Sequence, residues 1–228
     1  MEKGYKKIYW LFIFIFLCLP FGFKRYVFSL SGGNQRHILI HLHAILMLLW
    51  CALLIIQPLL LRHKKLHIHK RIGKLSYVLA PLLIVSMIAM IKLSYLQGQA
   101  TMTEKENLNN LLLPFSQTIL FGVYYVFAML NKNKLKAHMR FILVSSLTLL
   151  GPTIGRFDFS FTGFDLDAVN ISLLVMELIL ILCIIYDLRQ QKNITIYAVA
   201  LAVYAFAHFA VYYLGETQVW QSFANLLI

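Results

Sequence analysis

The sequence predicts an all-α protein that crosses a membrane seven times as a single domain. Of its 228 residues, 60% are hydrophobic and only 13% are charged, whereas a soluble domain usually carries about 25% charged residues. The mean hydropathy is +0.74. The apolar residues fall into seven stretches, and most have the roughly 20 residues with which a helix crosses about 30 Å of hydrocarbon.

The seven predicted spans follow one another with short connections and no second domain, so residues 1–228 form one transmembrane unit. The first span follows three lysines and lacks a small-residue cleavage site, which predicts a retained signal-anchor helix. The spans lie near residues 8–28, 37–61, 74–96, 111–130, 139–156, 168–188 and 194–214.

Polar and helix-breaking residues mark several spans. Gln57 and Pro58 interrupt the second span near one end, and Gly-Pro-Thr-Ile-Gly-Arg at 151–156 loosens the fifth. A broken helix at membrane depth needs protein or a cavity to satisfy its backbone. Glu177 lies near the middle of the sixth span, where an unpaired carboxylate is costly. We therefore expect Glu177 to face the bundle interior. The seventh span contains no lysine, which excludes a retinal Schiff base there.

Charge predicts the orientation of the bundle. With a cytoplasmic N-terminus, the inner segments 1–7, 62–74, 131–140 and 187–193 hold 15 of the 21 Lys and Arg residues. Basic loops stay inside, so the N-terminus is predicted to lie inside and the C-terminus outside. The net charge of +12 follows mostly from this rule. It therefore indicates a lipid bilayer, with anionic lipid at the inner loops, and not a nucleic-acid partner.

Six of the eight histidines lie between residues 37 and 69, in two copies of the pattern H-x-x-x-H-x-H. About twenty helical residues separate the copies, which corresponds to roughly 30 Å, one membrane thickness. The pattern predicts two clusters at opposite surfaces, with His208 joining the outer cluster and His138 the inner one. The first copy is His37, His41 and His43, and the second is His63, His67 and His69.

Histidine is the commonest metal ligand in proteins, and the helical repeat limits which histidines act together. His41 and His43 lie about 200° apart around a helix, so they cannot both point at one ion. Glu177, as a base, and Arg156, as a contact for a propionate or a quinone oxygen, are the candidate catalytic residues. The candidate metal ligands are His41, His43, His67, His69, His138 and His208.

Three segments resemble an uncharacterised family of small, His-rich bacterial multi-pass membrane proteins. They are HLHAILMLLW with QPLLLRH, HKRIGKLSYVLAPL, and AHMRFILVSSLTLLGPTIGR, all within residues 37–156. The arrangement is more distantly similar to membrane proteins that assemble cytochrome oxidase and to haem-binding membrane proteins of the nitric-oxide response. The resemblance implies a multi-pass protein of the bacterial cytoplasmic membrane.

Two kinds of metal centre can be written from these residues. A b-type haem needs two opposed histidines and cationic side chains for its propionates. A non-haem Zn, Fe or Cu centre needs three or four ligands around one point, with Glu177 or Asp158 as a further ligand or base. The haem sets are His41 or His43 with His208 and Arg156 outside, and His67 or His69 with His138 and Arg71 or Arg140 inside.

We expect haem b and electron transfer, because a haem near each surface explains why histidine clusters flank one span. The redox partner would be a quinone or a respiratory protein. One alternative is a non-haem metalloenzyme that acts on a lipid. Another is a protein that transports haem or metal, or that assembles an oxidase.

Overall fold

The computed structural model describes residues 7–23, 37–157 and 167–227. Every regular element in these ranges is a helix, which confirms the predicted all-α class. The helices are α1 (Tyr9–Gly22), α2 (Ile38–Arg62), α3 (Leu66–Gly73), α4 (Ser76–Gly98), α5 (Glu104–Asn109), α6 (Leu112–Leu130), α7 (Leu135–Leu147), α8 (Leu150–Ile154), α9 (Ala168–Arg189), α10 (Thr195–Tyr213) and α11 (Gln218–Leu227).

Six helical segments in the described ranges are long and apolar enough to cross a membrane. They are α2, α3 with α4, α5 with α6, α7 with α8, α9, and α10. The multi-pass membrane prediction is therefore confirmed. The first predicted span contains α1, whose 14 residues cover about 21 Å at 1.5 Å per residue. The rest of that span, 24–28, lies outside the described residues, and the seventh crossing and the orientation stay predictions.

The long helices pack as a closed ring. Starting at α1, each helix contacts the next in the order α2, α4, α6, α7, α10, α9 and α8, and α8 returns to α1. One apolar core fills the ring. Its fully buried side chains come from different helices, among them Ile15 from α1, Leu83 from α4, Phe121 from α6 and Leu180 from α9.

The fifth predicted span is a broken helix, but the break lies just before the predicted position at 151–156, since Gly151 and Pro152 are inside α8. Residues 148 and 149 separate α7 from α8. The Thr148 hydroxyl donates to the Ser145 carbonyl at 2.7 Å, and the Thr153 hydroxyl donates to the Leu149 carbonyl. Hydroxyl groups thus satisfy carbonyls around the break, as a membrane interior requires.

A small second core lies at the end of the bundle where α10 ends. There α11 packs on α5, and the Trp220 indole N–H donates to the Leu108 carbonyl at 2.9 Å. Lys105 and Glu216 form an exposed ion pair of 3.1 Å beside it. This end also carries Glu104 and Glu106, and we call it the acidic end. The opposite end, with residues 62–74, 131–140 and 187–193, is the basic end.

The ring closes at a very tight contact between α1 and α8. A Cβ atom added to Gly22 would lie 2.1 Å from the backbone oxygen of Thr153. Real Cβ atoms do not approach backbone that closely, so the helices can meet here only because residue 22 has no side chain.

We expect Gly22→Ala to push α1 away from α8 and to lower the stability by about 1–3 kcal/mol, as overpacking does. Thermal unfolding in detergent measures this loss. Gly122→Ala is the matched control, because its Cβ would meet only Ile84 Cδ1, at 3.4 Å. If both variants melt like the wild type, the contact does not close the ring.

Candidate functional site

A cavity of about 520 Å³ opens at the basic end, among α1, α2, α3, α4, α6 and α7. Its body is apolar, with Phe12, Trp50, Leu54 and Ile142 among the lining residues. Ligand pockets in proteins usually measure about 300–1,000 Å³ and combine an apolar lining with a few polar groups. We call this space the basic-end cavity.

Two predicted ligands, His69 and His138, line the basic-end cavity. They come from the second histidine pattern and from the start of α7, as the inner haem set requires. His67 is exposed, while His69 is half-buried, so the turn of α3 decides which of the two faces the cavity. His63 caps the end of α2 and is exposed.

The ring of His138 is held by the backbone of α6. Its Nδ1 lies 2.8 Å from the Ala128 carbonyl oxygen. A carbonyl only accepts, so Nδ1 carries the hydrogen and Nε2 keeps a free lone pair. The short turn between α6 and α7 brings the first turn of α7 back to this carbonyl.

The ring of His69 is held by Gln57 on α2. With its amide placed to satisfy all its neighbours, the Gln57 nitrogen donates to Nδ1 of His69 and, at 3.2 Å, to the carbonyl oxygen of His69. The amide oxygen accepts from the Gly73 N–H at 3.1 Å. Nδ1 is therefore an acceptor, and Nε2 of His69 carries the hydrogen.

The rim of the basic-end cavity is cationic. Lys70, Lys74 and Lys132 line it, and the lining residues that the structure describes include no Asp or Glu. Lys132 donates to the Tyr77 hydroxyl at 3.2 Å and lies over its ring. Arg71, a predicted propionate contact, is exposed and is absent from the lining. The cations that line the cavity are thus lysines and not the predicted arginines.

Arg140, the other predicted propionate contact, forms a buried ion pair with Asp187. Nη2 lies 2.8 Å and Nε 2.9 Å from Asp187 Oδ2, and both side chains are at most 5% exposed. The guanidinium also donates to the Lys136 carbonyl and lies over the Tyr197 ring. This arrangement gives no support to a propionate at Arg140.

Sequence reasoning missed Asp187. Apart from Glu2, it is the only acidic residue of the predicted inner segments. An isolated carboxylate among so many cations was a usable signal for an ion pair.

At the acidic end, His43 ties α2 to α4. Its Nδ1 lies 2.9 Å from the Ser86 hydroxyl, which itself donates to the Leu83 carbonyl at 2.7 Å. The hydroxyl hydrogen is therefore used, so Ser86 accepts from His43 Nδ1–H and leaves His43 Nε2 with a lone pair. His41 is half-buried, and exposed His37 caps the start of α2.

Glu177 and His208 pair across α9 and α10. Glu177 Oε1 lies 2.8 Å from His208 Nδ1, and His208 Nε2 lies 3.1 Å from Asn170 Oδ1. The side chains of Glu177 and His208 are 17% and 19% exposed. Glu177 thus has the protein partner that its depth requires.

The other predicted outer residues do not converge on this pair. Arg156 follows α8, donates to the Pro152 carbonyl and lies over the Phe23 ring, while Asp158 lies outside the described residues. His43 and His208 have separate partners on different helix pairs. Across 7–23, 37–157 and 167–227, no three His, Cys, Asp or Glu side chains form a group that could hold a metal ion.

Asp167 caps the start of α9 just outside the span. Its Oδ1 accepts from the N–H groups of Val169, at 2.9 Å, and Asn170, at 3.2 Å, and its Oδ2 accepts from the Tyr212 hydroxyl. Partial burial acts to raise the pKa of Asp167. The hydrogen bonds from Tyr212 and the backbone outweigh burial and hold the pKa below its usual value.

Replacing Asp187 by Asn should lower stability by about 3–5 kcal/mol, because the buried Arg140 charge loses its carboxylate. The double variant Arg140→Leu/Asp187→Leu should lose less, since it removes both charges. Unfolding in detergent measures both. If the double variant is no more stable than Asp187→Asn, the helices need the hydrogen-bonded ion pair between Arg140 and Asp187, and removing both charges does not compensate for its loss.

Tyr212→Phe should raise the pKa of Asp167 toward its usual value near 4. Because the folded pKa is lowered, the stability from Asp167 is complete above the usual pKa and is lost as pH falls through the lowered one. In the variant the usual pKa is unchanged, so the loss should start at the same pH but be smaller and be complete at a higher pH. Melting temperatures between about pH 6 and pH 2 would record this. Tyr213→Phe is the control, since Tyr213 is 67% exposed. Coincident profiles of the two variants would contradict the role of Tyr212.

Comparison of the chain with protein-family models, with curated proteins and with solved structures found no match.

Proposed function

We propose that the chain binds haem b in the basic-end cavity, with His69 and His138 as axial ligands, and that it transfers electrons. The observation that carries this proposal is that two histidines from different helices line one apolar cavity of about 520 Å³. The bound group would supply one-electron chemistry at its iron.

The lining of the cavity fits the group. A haem has an apolar macrocycle and two carboxylate side chains, so it needs an apolar body and cations at one edge. Trp50, Leu54 and Ile142 belong to the body, and Lys70, Lys74 and Lys132 lie at the rim. The lysines at the rim would hold the propionates as point charges.

The support behind each histidine also fits. A metal-bound histidine usually donates its other ring N–H to a carbonyl or carboxylate, which fixes the ring. His138 has this arrangement through Ala128, with Nε2 free. His69 reaches it when the Gln57 amide turns so that its oxygen accepts from Nδ1.

We further propose His43 and His208 as ligands at the acidic end, where the two rings, now on separate helix pairs, would have to approach each other. Each ring has an Nδ1 partner of the right kind, the Ser86 hydroxyl for His43 and the Glu177 carboxylate for His208. Ligation through His208 Nε2 requires that Asn170 move away from this atom. Haems at both ends would carry electrons across the membrane.

The proposed setting is the bacterial cytoplasmic membrane, with seven crossings, the N-terminus inside and the C-terminus outside. The positive-inside rule supports this orientation, because the loops of the basic end carry most of the Lys and Arg residues. The basic-end cavity would then open toward the cytoplasm. A quinone in the bilayer or a respiratory protein would exchange electrons with the bound group.

An absorption spectrum of the detergent-purified protein tests the proposal, taken oxidised and then dithionite-reduced. We expect a Soret band that sharpens on reduction. His138→Ala and His69→Ala should each reduce the haem content about 10-fold or more, because each removes an axial ligand. His67→Ala should retain it, since His67 is exposed.

Haem should be added during expression and again after purification, so that a colourless protein does not merely reflect haem lost during purification. If the protein stays colourless after haem is added at both stages, the proposal is wrong. If His67→Ala removes as much haem as His69→Ala, the assignment of the ligand is wrong.

A further inference from the structure

Gln57 connects α2 to the segment that carries His69. Its amide contacts the ring nitrogen and carbonyl of His69 and the N–H of Gly73, so one side chain reaches both ends of the last turn of α3. Gln57 also lines the basic-end cavity beside His69. Neither the hydropathy pattern nor the histidine pattern assigns it a role.

An amide has a donor side and an acceptor side, and it can offer only one of them to His69 Nδ1. With its nitrogen toward Nδ1, the amide satisfies His69 and Gly73 together. The hydrogen of the imidazole then lies on Nε2. With its oxygen toward Nδ1, the amide accepts from Nδ1–H and leaves a lone pair on Nε2. Its NH₂ group then faces the Gly73 N–H and its oxygen faces the His69 carbonyl, so the hydrogen bonds of the side chain to both backbone groups are lost.

We infer that Gln57 is a positioning residue that sets the tautomer of His69, and so decides whether His69 offers a hydrogen or a lone pair to the cavity. The inference deepens the proposed function and rests on it where a metal is concerned. In the haem-free chain, Gln57 holds His69 as a hydrogen-bond donor. Ligand binding through Nε2 turns the amide and releases Gly73.

Two substitutions separate the donor and acceptor sides of residue 57. Gln57→Glu keeps the shape but only accepts, so it favours the tautomer with hydrogen on Nδ1 and a lone pair on Nε2. Gln57→Leu removes both sides. Gln99→Glu and Gln99→Leu are matched controls, because Gln99 is exposed at the far end of α4.

The first measurement uses the haem-free full-length protein with ¹⁵N-labelled histidine, since protonated and unprotonated ring nitrogens resonate far apart. Comparison with His69→Gln assigns the His69 signals. We expect hydrogen on Nε2 in the wild type and on Nδ1 in Gln57→Glu. An unchanged tautomer in Gln57→Glu overturns the inference, whether or not the protein binds haem.

The second measurement is a redox titration of the haem-loaded protein. Gln57→Glu should shift the midpoint potential to a more negative value, because a carboxylate on Nδ1–H makes His69 a more basic ligand. Gln57→Leu should weaken haem binding about 10-fold, the lower end of what losing such a partner costs. The Gln99 variants should match the wild type.

The outcomes separate the two proposals. If the wild type takes up no haem but the tautomer changes in Gln57→Glu, the proposed function fails and the positioning role of Gln57 holds. If haem binds and the potential is the same in all four variants, the function holds and the role of Gln57 is overturned. A purely structural Gln57 would lower stability in Gln57→Leu without moving either the tautomer or the potential.

Discussion

Inside a bilayer, a polar side chain must find its partner within the protein, because lipid offers none. The ties between helices in this bundle follow from that constraint. Arg140 on α7 meets Asp187 on α9, and Glu177 on α9 meets His208 on α10. His43 on α2 meets Ser86 on α4. Apolar packing alone only weakly determines how two helices are rotated and aligned against each other. These few polar pairs therefore determine which helix faces meet and how the helices align along the membrane normal.

Hydropathy predicts the helices well because it records a physical length, the thickness of the hydrocarbon. The same signal is weak where a helix is short or interrupted. Gly and Pro predicted an interruption at 151–156, whereas the break lies just before it, at residues 148 and 149. The polar segments 62–74 and 97–110 were assigned to connections, but they contain the short helices α3 and α5. Hydropathy also did not indicate the second core of α5 and α11, which depends on Trp220 reaching Leu108.

The candidate site was predictable as a set of residue types but not as a set of partners. The spacing of the histidines proposed His67 or His69 with His138, and it left open which of His67 and His69 faces inward. The hydrogen-bond partners of these histidines depend on how the helices pack, which residue spacing does not predict. The Ala128 carbonyl meets His138 because a short turn joins α6 to α7. Gln57 was noted in the sequence only as the neighbour of Pro58, and its contact with His69 was not predicted. Arg140 shows the reverse case, since its charge was visible while its burial against Asp187 was not.

The two ties between α2 and the α3–α4 segment have a mechanical consequence. His43 and Gln57 are 14 residues apart on α2, which is about 21 Å along the helix. His43 holds Ser86, in the middle of α4, and Gln57 holds Gly73, at the end of α3. When the amide of Gln57 turns, its hydrogen bond with Gly73 is lost, while the hydrogen bond between His43 and Ser86 stays. Release at Gly73 therefore loosens the joint between α3 and α4, next to the basic-end cavity, while the middle of α4 stays held to α2. A change at the Gln57 amide is thus confined to the basic end as long as the pair of His43 and Ser86 holds.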